Sequence, residues 1–375
     1  MAEKHAEKKI EVTHHIVYST KGGCGKTAFS LFLAFCDNFK KDNDLGILVP
    51  SGEKNHNSGK HYLIDLDLLG SSLEYYLCIN RSMDKDNSGW TSTPTLQELV
   101  CADKHTYEIK SLNGDGQLVA HMHFDGCRDC GINNEIFLIP VSALEKEKAM
   151  FHVKKGTTPL LRYEELEAQL YAIQQSILIG PEKNKSDVHF VYDLAPNADS
   201  YTDAVINEIF DRVRKQKEGK QSNENIVLYL VSNSAEMLNC NIDWLNRLMC
   251  GHVDYPCSVV LVNNDNASEF GDDSNNGIDS IKGALKLFSI NESVRNTIKA
   301  HFFFKAHSIP MAMFRHDKRT KTELLRDPTN QFAPQKIMFD VEDKPQDNKK
   351  PYVGEKNEPE KQFHLKTYIF KKNEV

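Results

Sequence analysis

Residues 16–33 read IVYSTKGGCGKTAFSLFL, and this stretch predicts the fold of the chain. A short β-rich run ends at Ser19, a glycine-rich turn follows, and a helical pattern starts at Lys26. Such a strand–loop–helix unit aims successive backbone N–H groups and a helix N-terminus at one point, where a phosphate chain can bind. We therefore expect Lys26 to reach the terminal phosphates of a nucleotide and the Thr27 hydroxyl to ligate Mg²⁺.

The loop departs from the ordinary pattern G-x-x-x-x-G-K-[ST], because Thr20 occupies the first glycine position and Lys21 precedes the glycine pair. It resembles the deviant Walker A loop, K-G-G-x-G-K-[ST], of the ParA/MinD family of dimerising ATPases. The resemblance implies an α/β fold, namely a P-loop NTPase three-layer sandwich whose mostly parallel sheet is flanked by helices. The alternative is a tight glycine turn in front of a core helix. The nucleotide-binding residues that the resemblance implies in the loop are Gly22, Gly23, Cys24, Gly25, Lys26 and Thr27.

Length and composition set the class of protein. A chain of 375 residues with 40% hydrophobic and 26% charged residues can bury one large α/β domain or two smaller ones. Residues 1–9 are polar and lysine-rich, so we expect no secretory signal, and no stretch is apolar enough to span a membrane. Nine cysteines, an odd number, indicate reduced thiols and a cytoplasmic location. A net charge of −7 restricts any nucleic-acid contact to a local basic patch.

Short apolar strands alternate with helices along the chain, a pattern typical of a buried parallel sheet. We predict strands at 12–18, 62–64, 135–141, 188–192, 226–231 and 258–262, and helices at 27–39, 95–100, 163–178 and 242–249. With the resemblance, these elements predict a ParA/MinD-like ATPase domain over 1–335, with insertions near 42–60 and 104–134. Residues 336–375 are predicted to be a charged, flexible tail with a short ordered piece at 363–370.

Acidic residues follow two of the predicted strands. Asp65 and Asp67 come directly after one apolar run, and Asp193 ends another. In an open α/β sheet, the carboxyl ends of the strands border the crevice where ligands bind. The resemblance assigns the positioning of the attacking water to Asp67, a supporting role around Mg²⁺ to Asp65, and the Walker B role of holding Mg²⁺ to Asp193. The alternative is that each aspartate only begins a turn.

Two further matches are less complete. Ala195 and Pro196 resemble the family's second switch, D-x-P-P or D-x-P-A-G, although Asn197 stands where the family has glycine. Asn263 follows a late strand, where related ATPases place a polar residue that reads the adenine edge. Asparagine is also a common turn residue, which is the alternative for this position.

Together these matches predict an ATP- and Mg²⁺-dependent switch that dimerises around its nucleotides. The resemblance makes Lys21, Lys26 and Asp67 the catalytic residues, and it sends Lys21 across the dimer interface to the partner's phosphates. It implies a homodimer, an adaptor protein that stimulates hydrolysis, and a use in plasmid or chromosome partition or cargo positioning. One alternative is a nucleotide-binding scaffold without turnover, and another is a metal-binding relative from the nitrogenase-reductase or arsenite-ATPase branch.

Three other segments leave their alternatives open. A small loop could bring His121, His123, Cys127 and Cys130 together around zinc, although reduced surface cysteines and strand-end histidines explain them as well. The basic residues of 315–321 could hold non-specific DNA, or they form a solvated face. The apolar residues of 363–370 do not fall on one helical face, so we do not expect membrane binding.

Overall fold

The computed structural model describes residues 11–36, 39–42, 47–50, 59–67, 120–123, 135–139, 187–196, 200–218, 223–250, 257–264, 275–306, 339–342 and 363–370. Their strands are β1 (Val12–Tyr18), β2 (Phe39–Asp42), β3 (Ile47–Pro50), β4 (Lys60–Leu66), β5 (Ala120–His123), β6 (Glu135–Ile139), β7 (Val188–Leu194), β8 (Glu224–Ser232), β9 (Cys257–Asn264), β10 (Ile298–Ala306), β11 (Phe339–Glu342) and β12 (Phe363–Ile369). Their helices are α1 (Lys26–Phe35), α2 (Ser200–Glu218), α3 (Ala235–Leu248), α4 (Asn275–Leu287) and α5 (Glu292–Thr297).

Ten of these strands form one sheet, in the order β11-β12-β10-β9-β8-β1-β7-β4-β6-β5. The seven neighbours from β10 to β6 run parallel, which confirms the expected α/β class with a mostly parallel sheet. Strand β1 lies in the middle, between β7 and β8. Every residue of β1 and β7 is buried, as expected for strands covered on both faces.

Helices cover both faces of the sheet. On one face, the α1 side chains Phe29 and Phe32 pack against Phe304 of β10, with ring centroids 5.0 and 5.5 Å apart. On the other face, buried residues of α2, α3 and α4 pack into a second hydrophobic core. No helix among the described residues is long and apolar enough to cross a membrane.

The first predicted helix was too long at its end. Helix α1 ends at Phe35 rather than at residue 39, because the backbone at Cys36 turns to an extended conformation, with φ −72° and ψ 109°. Phe39 then begins the β2–β3 hairpin, in which Phe39 and Val49 are both buried against the α1-side core. Part of the insertion predicted near 42–60 therefore belongs to the core.

Two parts of the segment 336–375, predicted to be a charged, flexible tail with a short ordered piece at 363–370, are strands of the main sheet. Strand β12 pairs antiparallel with β10 over seven positions, and β11 pairs with β12. The segment 363–370 was predicted to be ordered, and the reason is now visible, since Leu365 and Phe370 are buried in the cores of the two faces. The helices predicted at 95–100 and 163–178 lie outside the described residues.

A layer of histidine side chains lies on the α1 face of the sheet. His15 of β1, His61 of β4 and His189 of β7 are all buried, and their rings stack, with centroids 5.3 Å apart for His15 and His189 and 4.6 Å apart for His61 and His189. Nε2 of His15 is 3.0 Å from Nδ1 of His189. Nδ1 of His15 is 3.1 Å from the Tyr229 hydroxyl. Phe39 stacks on His189 at 4.8 Å and closes the layer. We call this set the histidine layer.

Candidate functional site

The loop between β1 and α1 is built around glycines with positive φ. Gly23 has φ 77° and Gly25 has φ 93°, a left-handed conformation that L side chains rarely adopt. Gly25 precedes the first residue of α1, with no side-chain hydrogen bond capping the helix and no acidic residue in its first turn. The first N–H groups of α1 therefore point at the loop without an internal anion to satisfy them, which makes this end of the helix electropositive.

Four polar side chains meet beneath the loop. Lys26 is only 7% exposed and Asp193, on the neighbouring strand β7, only 2%. The Ser30 hydroxyl, one turn farther along α1, donates to Oδ1 of Asp193 at 3.0 Å. Burial raises the pKa of Asp193 to about 6, and the opposing effects come from the Lys26 charge and from hydrogen bonds with Thr27 and Ser30. The predicted neighbours Lys26, Thr27 and Asp193 are thus together.

Of the two predicted acidic residues, Asp65 lies inside the end of β4 and Asp67 just beyond it, and both are near Asp193. The Cα of Asp65 is the register partner of Asp193 in the β4–β7 pair, so the two carboxyl-bearing positions share one row of the sheet. Asp67 lies just past the end of β4, is half-buried, and is close enough for its charge to raise the pKa of Asp193 further. The side chain of Asp65 is outside the described part of the structure, so its predicted role stays a prediction.

Lys21 is exposed at the rim of the loop. Its Nζ forms an ion pair with the carboxylate of Glu236 in the first turn of α3, and the hydrogen bond to Glu236 raises the pKa of Lys21. Both partners are largely solvated, so this contact contributes little to stability. The lysine is therefore held in position by a weak contact and remains accessible from outside.

The predicted second switch begins next to the loop. A Cβ added to Gly22 would lie 3.9 Å from the Pro196 ring, so the turn after β7 approaches the loop closely. Asn197, the residue that departs from the family pattern, lies outside the described residues.

The late asparagine that approaches the loop is Asn264 rather than its neighbour. Asn263 is fully buried at the end of β9 and stands in line with Val259 and Leu261, which belong to the core of the face opposite α1. Asn264 instead donates from its Nδ2 to the carbonyl oxygen of Cys24 at 2.9 Å. Base recognition by Asn263 stays a prediction, and a side chain that the sequence analysis did not single out is the one on the loop.

The sequence analysis missed three contributors to this site: Ser30, Asn264 and Asn241, whose Oδ1 accepts hydrogen bonds from the N–H and the hydroxyl of Thr20 at the start of the loop. A signal existed for Ser30, because it lies three residues after Thr27 and so shares a helix face with it. None existed for Asn241 or Asn264, because amide side chains are frequent after strands and in helices for local reasons.

The side chains of the candidate zinc ligands lie outside the described part of the structure, so zinc binding remains one of the open alternatives. His121 and His123 fall on β5, whose side chains are outside the described set, and Cys127 and Cys130 lie in an undescribed segment. No group of three or more His, Cys, Asp or Glu in the described ranges is arranged to hold a metal ion. A nucleotide-bound Mg²⁺ needs few protein ligands, since phosphates and waters supply the others. No family model and no curated protein matches this chain.

Proposed function

We propose that this protein is a Mg-ATP-dependent ATPase of the ParA/MinD type that switches between a monomer and an ATP-bound dimer. The observation that supports it best is the grouping of a buried lysine, a hydroxyl and a buried carboxylate at the N-terminus of α1. Lys26, Thr27 and Asp193 come from a glycine loop and a neighbouring parallel strand, which is the arrangement that phosphoryl-transfer sites use.

The residues present fit a magnesium triphosphate. A buried ammonium group such as that of Lys26 is costly unless anions surround it, and the carboxylate acting on it, Asp193, has itself a raised pKa. The phosphates of ATP would supply the missing negative charge, and the N–H groups of Gly23 to Thr27 would donate to their oxygens. Thr27 and Asp193 would hold Mg²⁺, which neutralises charge on the phosphates.

Each remaining residue then has a defined role. Asp67 accepts a hydrogen bond from the attacking water and orients it toward the terminal phosphate. Lys21 leaves Glu236, crosses to the partner's phosphates and stabilises the charge that develops there during hydrolysis. Hydrolysis removes the contact that closes the dimer, so the enzyme works as a slow cytoplasmic switch whose turnover an adaptor protein accelerates. Partition of DNA or positioning of another cargo is the use we infer.

Replacement of Lys26 by alanine tests this proposal. Lys26→Ala should weaken binding of Mg-ATP by about a hundredfold, because a charge-assisted contact to phosphate is lost. Isothermal titration of the full chain measures the effect, and Lys286→Ala, which changes an exposed lysine of α4, is the matched control. Near-normal affinity in Lys26→Ala would refute the phosphate-binding assignment. Bound ATP without phosphate release in the wild type would indicate the scaffold alternative instead.

A further inference from the structure

Two buried amide side chains contact the two ends of the loop. At its start, Oδ1 of Asn241 accepts hydrogen bonds from the N–H of Thr20 at 2.8 Å and from the Thr20 hydroxyl at 2.9 Å. At its end, Nδ2 of Asn264 donates to the carbonyl oxygen of Cys24 at 2.9 Å. The two asparagines come from different elements, since Asn241 lies on α3 and Asn264 ends β9.

Both amides are fixed by their own surroundings. Asn241 is fully buried, and its Nδ2 donates to the carbonyl oxygen of Val231 at 3.0 Å, so the α3 side chain is tied to the end of β8. Asn264 is 9% exposed and belongs to a strand paired on both sides. A buried hydrogen bond of this kind is costly to break, because the partner left behind is neither solvated nor paired.

The contact with Cys24 determines the direction of a neighbouring donor. In a trans peptide, the C=O of one residue and the N–H of the next point in opposite directions, and no cis peptide occurs in the described chain. Since Asn264 holds the Cys24 carbonyl toward β9, the N–H of Gly25 is directed away from β9. A Cβ on Gly25 would lie 2.3 Å from Nδ2 of Asn264, so the loop can approach the amide this closely only with glycine at position 25.

We propose that Asn241 and Asn264 are positioning residues that hold the ends of the loop so that its N–H groups face the phosphates before nucleotide arrives. We call the pair the amide clamp. Its effect on ATP binding rests on the proposed function, whereas its effect on the loop does not. Pre-organised donors bind an anion without first ordering the backbone. Loss of either amide should therefore loosen the loop and weaken nucleotide binding.

The test compares Asn264→Ala and Asn241→Ala with wild type in two measurements. Hydrogen–deuterium exchange of peptides that cover residues 20–27 should speed up by about tenfold in each variant without nucleotide, since a buried hydrogen bond is lost. Titration with Mg-ATP should show affinity weaker by about tenfold. The matched control is Asn246→Ala, which removes a similar amide-to-carbonyl bond of α3, to Ser289, away from the loop.

The outcomes separate the clamp from the proposed function. Unchanged exchange and unchanged ATP affinity in both variants would overturn the clamp. Faster loop exchange in both variants, together with a wild-type chain that binds no Mg-ATP, would keep the clamp and overturn the nucleotide proposal. If alanine at position 264 prevents folding, Asn264→Ser, whose hydroxyl is too short to reach Cys24, replaces it under the same criteria. A general loss of folding stability without selective loop exchange would also count against the clamp.

Discussion

At the scale of single residues, burial of Asp193 costs stability, although Mg²⁺ binding is the role that we propose for this carboxylate. Its carboxylate ends a strand that is buried along its whole length, and burial raises its pKa to about 6 from an ordinary value of 3.8. Between these two values the folded state binds more protons than the unfolded state, so this group makes the protein less stable as pH rises through the window. At neutral pH the carboxylate is ionised and able to hold a cation. The residue destabilises the fold in the form in which it would act.

Replacement of this carboxylate by an amide should therefore stabilise the protein. Asp193→Asn keeps an oxygen that accepts from Ser30 but removes the buried charge, and we expect a gain of about 1–3 kcal/mol in the free energy of unfolding at pH 8. The gain should shrink near pH 4, where Asp193 is already protonated. Urea denaturation at the two pH values measures it, with the exposed Asp243→Asn as the control. Equal or lower stability of Asp193→Asn at pH 8 would show that the buried charge is compensated.

At the scale of elements, helix α3 connects the loop to the body of the protein. Its first turn carries Glu236, the partner of Lys21, and five residues later Asn241 holds Thr20. Trp244 packs on Tyr18 at the end of β1, with ring centroids 4.0 Å apart, and donates to Asp203 of α2 at 2.8 Å. The helix therefore contacts the loop, the strand before it and helix α2.

Replacement of the exposed Lys21 at this junction should affect the proposed dimerisation and leave nucleotide binding intact. Lys21→Ala should bind Mg-ATP about as well as wild type, because Lys21 is exposed and outside the buried group under the loop. It should fail to dimerise with ATP and to hydrolyse it, because the charge for the partner's phosphates is missing. Size-exclusion chromatography and phosphate release test this, with Glu236→Gln as the variant that frees the lysine and keeps the dimer. If Lys21→Ala still dimerises and hydrolyses ATP, Lys21 has no role at the partner's phosphates and is only a residue of the turn.

Elements could be predicted from the sequence where one physical rule dominates. Strands β1, β7, β8 and β9 were placed to within two residues, because a strand buried on both faces is rich in apolar and β-branched residues. The start of α3 was missed by two turns, since its first residues after the Ser234 cap are mixed in polarity. Strand β12 was missed as a member of the sheet because its neighbours in sequence are charged. Long-range pairing with β10 decides its conformation, and local composition does not reveal such pairing.

Only part of the candidate site could be predicted from the sequence. Lys26, Thr27 and Asp193 could be predicted because their spacing from glycines and strand ends follows directly from the chain. Asn241 and Asn264 could not, since their importance depends on contacts across 221 and 240 residues.

At the scale of the whole molecule, the histidine layer is formed by side chains of the three strands that lead to the site. His15, His61 and His189 belong to β1, β4 and β7, and the latter two precede Asp65 and Asp193 by four residues each. Burial lowers the pKa of all three well below 6.5, and the like charges of neighbouring imidazoles lower it further. Around them lie the Tyr229 hydroxyl of β8, the Phe39 ring of β2 and the Leu33 backbone of α1, and the charge of His14 on β1 also lowers the pKa of His15.

Acid should consequently destabilise the fold in a defined pH window. Below pH 6.5 the unfolded state binds protons that the buried imidazoles reject, so the stability that is fully present above this value is lost as pH falls. We expect a loss of about 2–4 kcal/mol between roughly pH 7.5 and pH 5.5, which exceeds the opposite contribution of Asp193. Urea denaturation across this range measures it. His61→Phe, which retains a stacked ring, should be less acid-sensitive and nearly as stable as wild type at pH 8. Equal acid sensitivity in both chains would exclude His61 as a contributor.

The position of β1 between β7 and β8 also has a consequence in time. The carboxylate that meets Ser30 follows that residue by 163 positions in the chain, and the amide that holds Cys24 follows it by 240. At translation speeds of about 5–20 residues per second, Asn264 is therefore synthesised roughly 12–48 s after the loop. During that interval the nascent chain has the glycines and lysines of the loop but not the assembled site. Under the proposed function, ATP would stabilise the finished fold but could not guide the early stages of its assembly.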